Sequence, residues 1–256
     1  MSIGAVSQLW RFPVKSLQGE RCESLRLTPT GFEGDRRYAV VDRRSGRTLT
    51  AKTVPELLFA SARTDGDAVV VTLADGRDFD AADPTLSGTI SESLDRECDL
   101  VENLASSDAS YDMTFDPEHD DADLVNIPIA PGTFFDLTPL HALTSTSLAA
   151  MRAAYPEGEW DVRRFRPNLF IEASGSGFPE DDWVGSTIAV GEGGASFHVV
   201  MPSVRCAIPN RAQPSLGRDL DIFRTMDALH ANHLGVYCEP RGSGPVHEGD
   251  ELRLQE

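Results

Sequence analysis

A single cysteine, Cys206, stands beside an arginine in Met201-Pro202-Ser203-Val204-Arg205-Cys206-Ala207-Ile208-Pro209. Prolines at 202 and 209 forbid a continuing helix and disfavour a central strand, which predicts a fixed loop. A neighbouring guanidinium favours the thiolate, the form that ligates metals or attacks electrophiles. A free cysteine is as often a small buried hydrophobe, so the local residues leave both readings open.

Four other segments concentrate cations or donors. In Phe12-Pro13-Val14-Lys15-Ser16 a lysine follows a proline-directed strand end, where its compact ammonium suits a phosphate oxygen as well as it suits solvent. Gly34-Asp35-Arg36-Arg37-Tyr38 reads as a tight turn entering a strand. Adjacent strand residues face opposite ways, so Arg36 could hold an anion while Arg37 is solvated. In Leu143-Thr144-Ser145-Thr146-Ser147-Leu148 the hydroxyls of Thr144, Ser145 and Thr146 open a helix and could cradle an anion, although capping accounts for one of them. Arg163-Arg164-Phe165-Arg166-Pro167-Asn168-Leu169 carries three arginines in four residues. Pro167 predicts an extended Arg166, and Asn168 offers a donor and an acceptor to a heterocycle edge. Surface ion pairs with Glu157, Glu159 or Asp161 are the competing account. No GxGxxG, Walker A, GxSxG or HExxH signature occurs. His119 stands alone among carboxylates, Asp181-Asp182 reads as turn or capping residues, and His198 reads as outward or structural.

These residues sit in an acidic chain of 256 residues with net charge −18. Of its 23 basic residues only two, Lys15 and Lys52, are lysines. Acid excess with scarce lysine resembles proteins of salt-accumulating halophiles, in which a Debye length near ~3 Å at molar salt removes the penalty of self-repulsion; a GC-rich source is the alternative origin. The halophile reading predicts a melting temperature that climbs steeply from dilute buffer to molar KCl, and a melting curve indifferent to KCl would refute it. Such a surface leaves no basic face for nucleic acid in general. Four dispersed cysteines without a CxxC pair predict reduced thiols and give no support to a zinc or iron–sulfur site. No apolar run reaches a membrane span and no signal-peptide pattern opens the chain, so a cytoplasmic protein is expected.

The elements that must position the candidates read as β-rich α/β. VSQLWRFPV, ESLRLT, RRYAVVD, LLFASART and AVVVTLA, separated by glycine turns, predict a small antiparallel barrel or curled sheet. Residues 87–97 predict a short helix with Ser87 as its cap. The acidic stretch 106–123 lacks periodicity and reads as a linker or mobile loop. Helices are predicted at 144–155 and 218–230, and strands at 168–172, 187–190, 197–201, 235–239 and the C-terminal end.

In chain order, RFPVKS (11–16), GDRRYAVVD (34–42) with LTAK nearby, LTSTSL (143–148), RFRPNLFIE (164–172), EDDWVG (180–185), VRCAI (204–208), GVYC (235–238) and HEGDEL (247–252) resemble the MOSC family, the molybdenum cofactor sulfurase C-terminal domain. They are most similar to the branch with an N-terminal β-barrel domain, to which amidoxime-reducing components belong. The resemblance spans about residues 3 to 254. It implies an N-terminal β-barrel-like domain over 1–105, a linker over 106–124, and a MOSC-type barrel with peripheral helices over 125–256. It further implies a molybdenum–pyranopterin cofactor whose metal is held by two dithiolene sulfurs and Cys206. Lys15, Ser16 and Arg36 match positions that compensate the pterin phosphate. Thr144, Ser145, Thr146, Arg166, Asn168 and Arg205 match positions around the pterin, and Tyr237 flanks the metal as a candidate catalytic group. Many relatives carry a second cysteine where this chain has Ser203. At the level of general description the family also carries an association with pyridoxal phosphate. The implied reaction is reduction of N-hydroxylated compounds (amidoximes, hydroxamic acids, hydroxylaminopurines), the last being the only nucleobase contact foreseen. Electrons are expected from a separate ferredoxin or flavoprotein. A non-catalytic carrier of cofactor, or of sulfur as a Cys206 persulfide, is the alternative.

Overall fold

The computed structural model describes residues 2–103, 109–113, 123–129 and 132–255. Seven strands close a barrel: Ser2–Arg11, Leu169–Ala173, Leu140–Thr144, His233–Gly242, Ala195–Val204, Thr187–Val190 and Glu251–Gln255, the last pairing back onto the first. Ser2–Arg11 therefore lies between two strands from the far end of the chain, with Ala5 opposite both Glu172 and Glu251. Only Leu140–Thr144 against Leu169–Ala173 is parallel within the ring. Alternation fills the interior, where Val6, Leu9, Ile171, Ile188, Phe197, Val236 and Leu252 form one buried cluster.

The segment from residue 12 to 103 folds as short antiparallel pairs (Tyr38–Asp42 with Cys98–Glu102, and Ser61–Asp65 with Ala68–Thr72 and Asp78–Asp80) around a second cluster that includes Val14, Leu17, Leu57, Leu58, Val71 and Ile90. LLFASART divides: Pro55–Phe59 is a 3-10 turn and only Ser61–Asp65 is strand, because Pro55 presets the first turn and Leu57 and Leu58 bury together. The short helix is Leu86–Leu94. Its cap position is Thr85, and the Ser87 hydroxyl instead accepts the Leu100 amide at 3.0 Å.

Within the acidic stretch, Ser110–Met113 pairs with Val125–Pro128, and the Tyr111 ring is fully buried. His119 lies outside the described residues. The helix after residue 144 is Ser145–Ala154, and the later one is Asp221–His230. The cysteine strand, Ala195–Val204, runs through Pro202, contrary to the expectation that proline would end it. Beyond Val199 the strand has a ladder partner on one side only, the edge setting in which a strand tolerates proline. Cys206 then lies in a loop between this strand and the 3-10 turn Ile208–Asn210. No helix among the described residues is long and apolar enough to cross a membrane.

Candidate functional site

Where the barrel meets the N-terminal segments, a cavity of about 110 Å³ opens to the surface. Lys15, Ser16, Arg36, Arg166, Asn168, Arg205, Cys206 and Tyr237 all line it, together with Thr50, Lys52, Asp136 and His141. Residues separated by up to 222 positions thus share one wall.

Both lysines of the chain are here, each under a tenth exposed. Lys15 Nζ donates to the Phe134 carbonyl at 2.7 Å and to Asp136, while Lys52 Nζ donates to Asp136 Oδ2 at 2.7 Å. Their ammonium groups lie 4.8 and 4.3 Å from the centre of the Tyr111 ring. Burial pulls the Lys15 pKa down to about 8 against the opposing pull of Asp136. At Lys52 burial acts the same way, but Asp136 and Cys206 outweigh it and the pKa ends above the ordinary lysine value. Asp136 is penalised by burial yet held well below the usual carboxylate range by the two lysines.

A second cationic pair flanks Phe12. The guanidinium carbons of Arg36 and Arg166 lie 4.4 and 4.2 Å from its ring centre. Asp35 pairs with Arg36 and also accepts from the Phe12 amide at 2.7 Å and from Asn168 Nδ2 at 3.0 Å. Arg166 donates to the Leu17 carbonyl at 2.6 Å. Burial, then Arg36, lower its pKa to about 9.

Ser16, Arg36 and Arg166 adopt φ values of 69°, 49° and 54°, a left-handed region that non-glycine residues rarely enter. All three line the cavity. The extended conformation expected of Arg166 is thus overturned. Its amide closes the turn Val162–Arg164 by bonding the Val162 carbonyl at 3.3 Å, and a left-handed residue is what such a turn end requires. Arg36 likewise lies in the turn before the strand that begins at Tyr38.

Arg205 does not aim its charge freely at the thiol. Its guanidinium donates to Ser203 Oγ at 2.8 Å and to the Phe165 carbonyl at 2.8 Å, and it meets His141 Nε2 at 3.2 Å. Burial and Arg205 together push the His141 pKa well down, so the ring is neutral. The Tyr237 hydroxyl donates to the Val204 carbonyl at 3.4 Å.

Thr144, Ser145 and Thr146 are not brought to the cavity. Thr144 is the helix cap, accepting from the Ser147 amide. Its hydroxyl is also within 3.1 Å of that of Thr146, and it donates to Glu180 at 2.7 Å. The Ser145 hydroxyl accepts from the Ala173 amide at 3.4 Å. The buried Glu180 carboxyl accepts from Thr144 and also from Ser147 at 2.7 Å, so these hydroxyls are engaged within the protein. Asp181 pairs with His230 at 2.7 Å.

The chemistry of the lining suits an anionic group that brings a soft metal. Five cationic side chains line it against one carboxylate, Asp136, and the Thr50 hydroxyl, 1% exposed, has no hydrogen-bond partner among the described residues. Among those residues no three His, Cys, Asp or Glu side chains converge. A metal bound through Cys206 would have to bring its other donors with it. Sequence reasoning missed Asp136, Thr50 and His141 as cavity residues; for Lys52 the signal was its rarity.

Comparison with known proteins gives two matches that between them cover most of the chain: "MOSC N-terminal beta barrel domain" over residues 3–112 and "MOSC domain" over residues 131–253. Human mitochondrial amidoxime-reducing component 1 is 26% identical over 228 residues, 80% of this chain and 66% of that protein. Rice molybdenum cofactor sulfurase is 28% identical over 242 residues, 80% of this chain and 28% of its own length. The chain thus spans just under two thirds of the first relative and little more than a quarter of the second. Among solved structures, the YUAD protein from Bacillus subtilis aligns over 98% of this chain and 94% of its own, with TM-score 0.48 and 14% identity.

Proposed function

The chain belongs to the MOSC family, and from that premise we propose that it is a molybdenum-cofactor-dependent reductase of N-hydroxylated compounds. The observation that carries this reading is the convergence of Cys206 with Lys15, Ser16, Arg36, Lys52 and Arg166 in one cavity. Cys206 would be the protein's ligand to molybdenum, a soft thiolate for a metal already bonded to sulfur. Lys15, Ser16 and Arg36 would hold the pterin phosphate, and Arg166 with Asn168 would orient the pterin. When bound, the cofactor supplies two-electron reduction; the protein contributes placement and charge compensation.

In balance, an amidoxime takes up two electrons and two protons, its N–O bond breaks, and amidine and water leave. The electrons come from a separate donor protein, a ferredoxin or flavoprotein. The Tyr237 hydroxyl at the cavity wall is the candidate to hold one of the protons. Molybdenum-loaded protein supplied with a chemical reductant is expected to convert benzamidoxime to benzamidine. A second reading, a carrier of cofactor or sulfur, draws on the likeness to the rice sulfurase. A persulfide on Cys206 in fully loaded protein that turns nothing over would favour the carrier and defeat the reductase.

A further inference from the structure

The loop that carries Cys206 is clamped by a residue that is not among those lining the cavity. Arg164 is the largest fully buried side chain among the described residues. Its Nε donates to the Glu159 carbonyl at 2.8 Å. Its Nη1 donates to the carbonyls of Pro209 at 3.1 Å and Arg211 at 3.2 Å. Its Nη2 donates to the Gly217 carbonyl at 2.9 Å and to Glu159 Oε2 at 3.4 Å. These contacts use all five N–H groups of the guanidinium. Three of the five acceptors are carbonyls of the chain just after Cys206, two of them in or next to the turn Ile208–Asn210.

The other side of the thiol is anchored as well. The Arg205 amide donates to the Asn232 carbonyl at 2.9 Å, and Asn232 Nδ2 returns a bond to the Arg205 carbonyl at 2.8 Å. Arg205 also reaches the carbonyl of Phe165, the residue following Arg164. From the turn, Arg211 Nη2 donates to the Lys52 carbonyl at 2.8 Å, which ties it to the cavity wall. Cys206 and Ala207 are thus the short span between two fixed points, and segment 163–166 supplies a partner to each.

We propose that Arg164 is a positioning residue for Cys206, holding the thiol at the cavity wall through the carbonyls of 209, 211 and 217. This rests on the reading of Cys206 as the working thiol. A planar fork serves four carbonyls and a carboxylate at once; a lysine ammonium has three donors on one nitrogen and cannot span the same set. A neighbouring arginine provides the contrast. Arg163 pairs with Asp161 beside it and gives only a 3.4 Å contact to the Pro214 carbonyl.

The test compares Arg164→Lys, Arg164→Gln and Arg163→Gln, following iodoacetamide labelling at each cysteine in cofactor-free protein by peptide mass spectrometry. Loosening the clamp is expected to speed labelling at Cys206 about tenfold in both Arg164 variants, since a loop shift near 1 Å alters access and geometry by such factors. Labelling at half-buried Cys22 should stay unchanged, and Arg163→Gln should match the parent at every cysteine. Molybdenum retained by loaded protein should fall in the Arg164 variants, with lysine giving no rescue. Folded Arg164→Lys with parental Cys206 labelling would overturn the proposal. Global unfolding of both Arg164 variants would also overturn it, by making the residue a support of the whole domain. Equal molybdenum in Cys206→Ser and parent would remove the thiol's role separately, leaving the labelling result to judge the clamp.

Discussion

Cys206→Ser is expected to reduce the molybdenum content of protein made in a cofactor-competent host from about one per chain to about a tenth of that or less, because a neutral hydroxyl replaces the soft thiolate donor. Metal analysis of the two proteins measures it directly. The loop should survive the change, since its anchors are the backbone of residue 205 and the carbonyls of 209 and 211, none of which involves the sulfur. Far-ultraviolet circular dichroism and the melting temperature should therefore match the parent. Equal metal in both proteins would take Cys206 out of the ligand role. The remaining cysteines cannot easily substitute: Cys98 and Cys238 are buried away from the cavity, and burial pushes the Cys22 thiol up to about 11.

The two lysines should respond in different ways to the same substitution. Lys52→Met is expected to cost about 3 kcal/mol of stability at pH 7, as removing one partner of a buried ion network leaves the other exposed to its desolvation cost. Lys15→Met should cost much less, within about 1 kcal/mol of parent, because Lys15 already bears a desolvation penalty that the change relieves. Urea unfolding of both variants decides the matter, and equal losses would refute the asymmetry.

Their pH signatures differ in sign. Lys52 has a raised folded value, so its contribution is fully present below the unfolded lysine pKa and fades as pH climbs through the folded one. Lys15, at about 8, gives up its proton earlier when folded. Stability lost at neutral pH should therefore be regained between about 8 and about 10.4, and Lys15→Met should flatten that rise. Asp136, depressed, supports the fold above the unfolded carboxylate pKa and loses that support as acid titrates it.

The sequence carried most of the strands and both long helices, because alternation and capping are local signals: Thr187–Val190 coincides with its predicted bounds, and Ser145–Ala154 lies within one residue of its own. Closure of the barrel was not legible, since it depends on Ser2–Arg11 pairing with segments at least 160 and 246 residues away. Lys15 and Lys52 were conspicuous through scarcity. Asp136 was one acid among 41, and nothing local marks it as the counter-ion of both lysines. The spacing of the hydroxyl run at 144–146 cannot reveal that Glu180, from a distant turn, engages Thr144 within the protein. At Arg166 the extended bias of a residue before proline yields to the preceding turn, whose end demands a left-handed residue.

Ser2 lies opposite Arg253, so the barrel is stitched shut by two of the most separated segments of the polypeptide. During translation the first strand must wait, unpaired along that edge, until residues 251–255 leave the ribosome. Contacts of such range make closure a late event in folding.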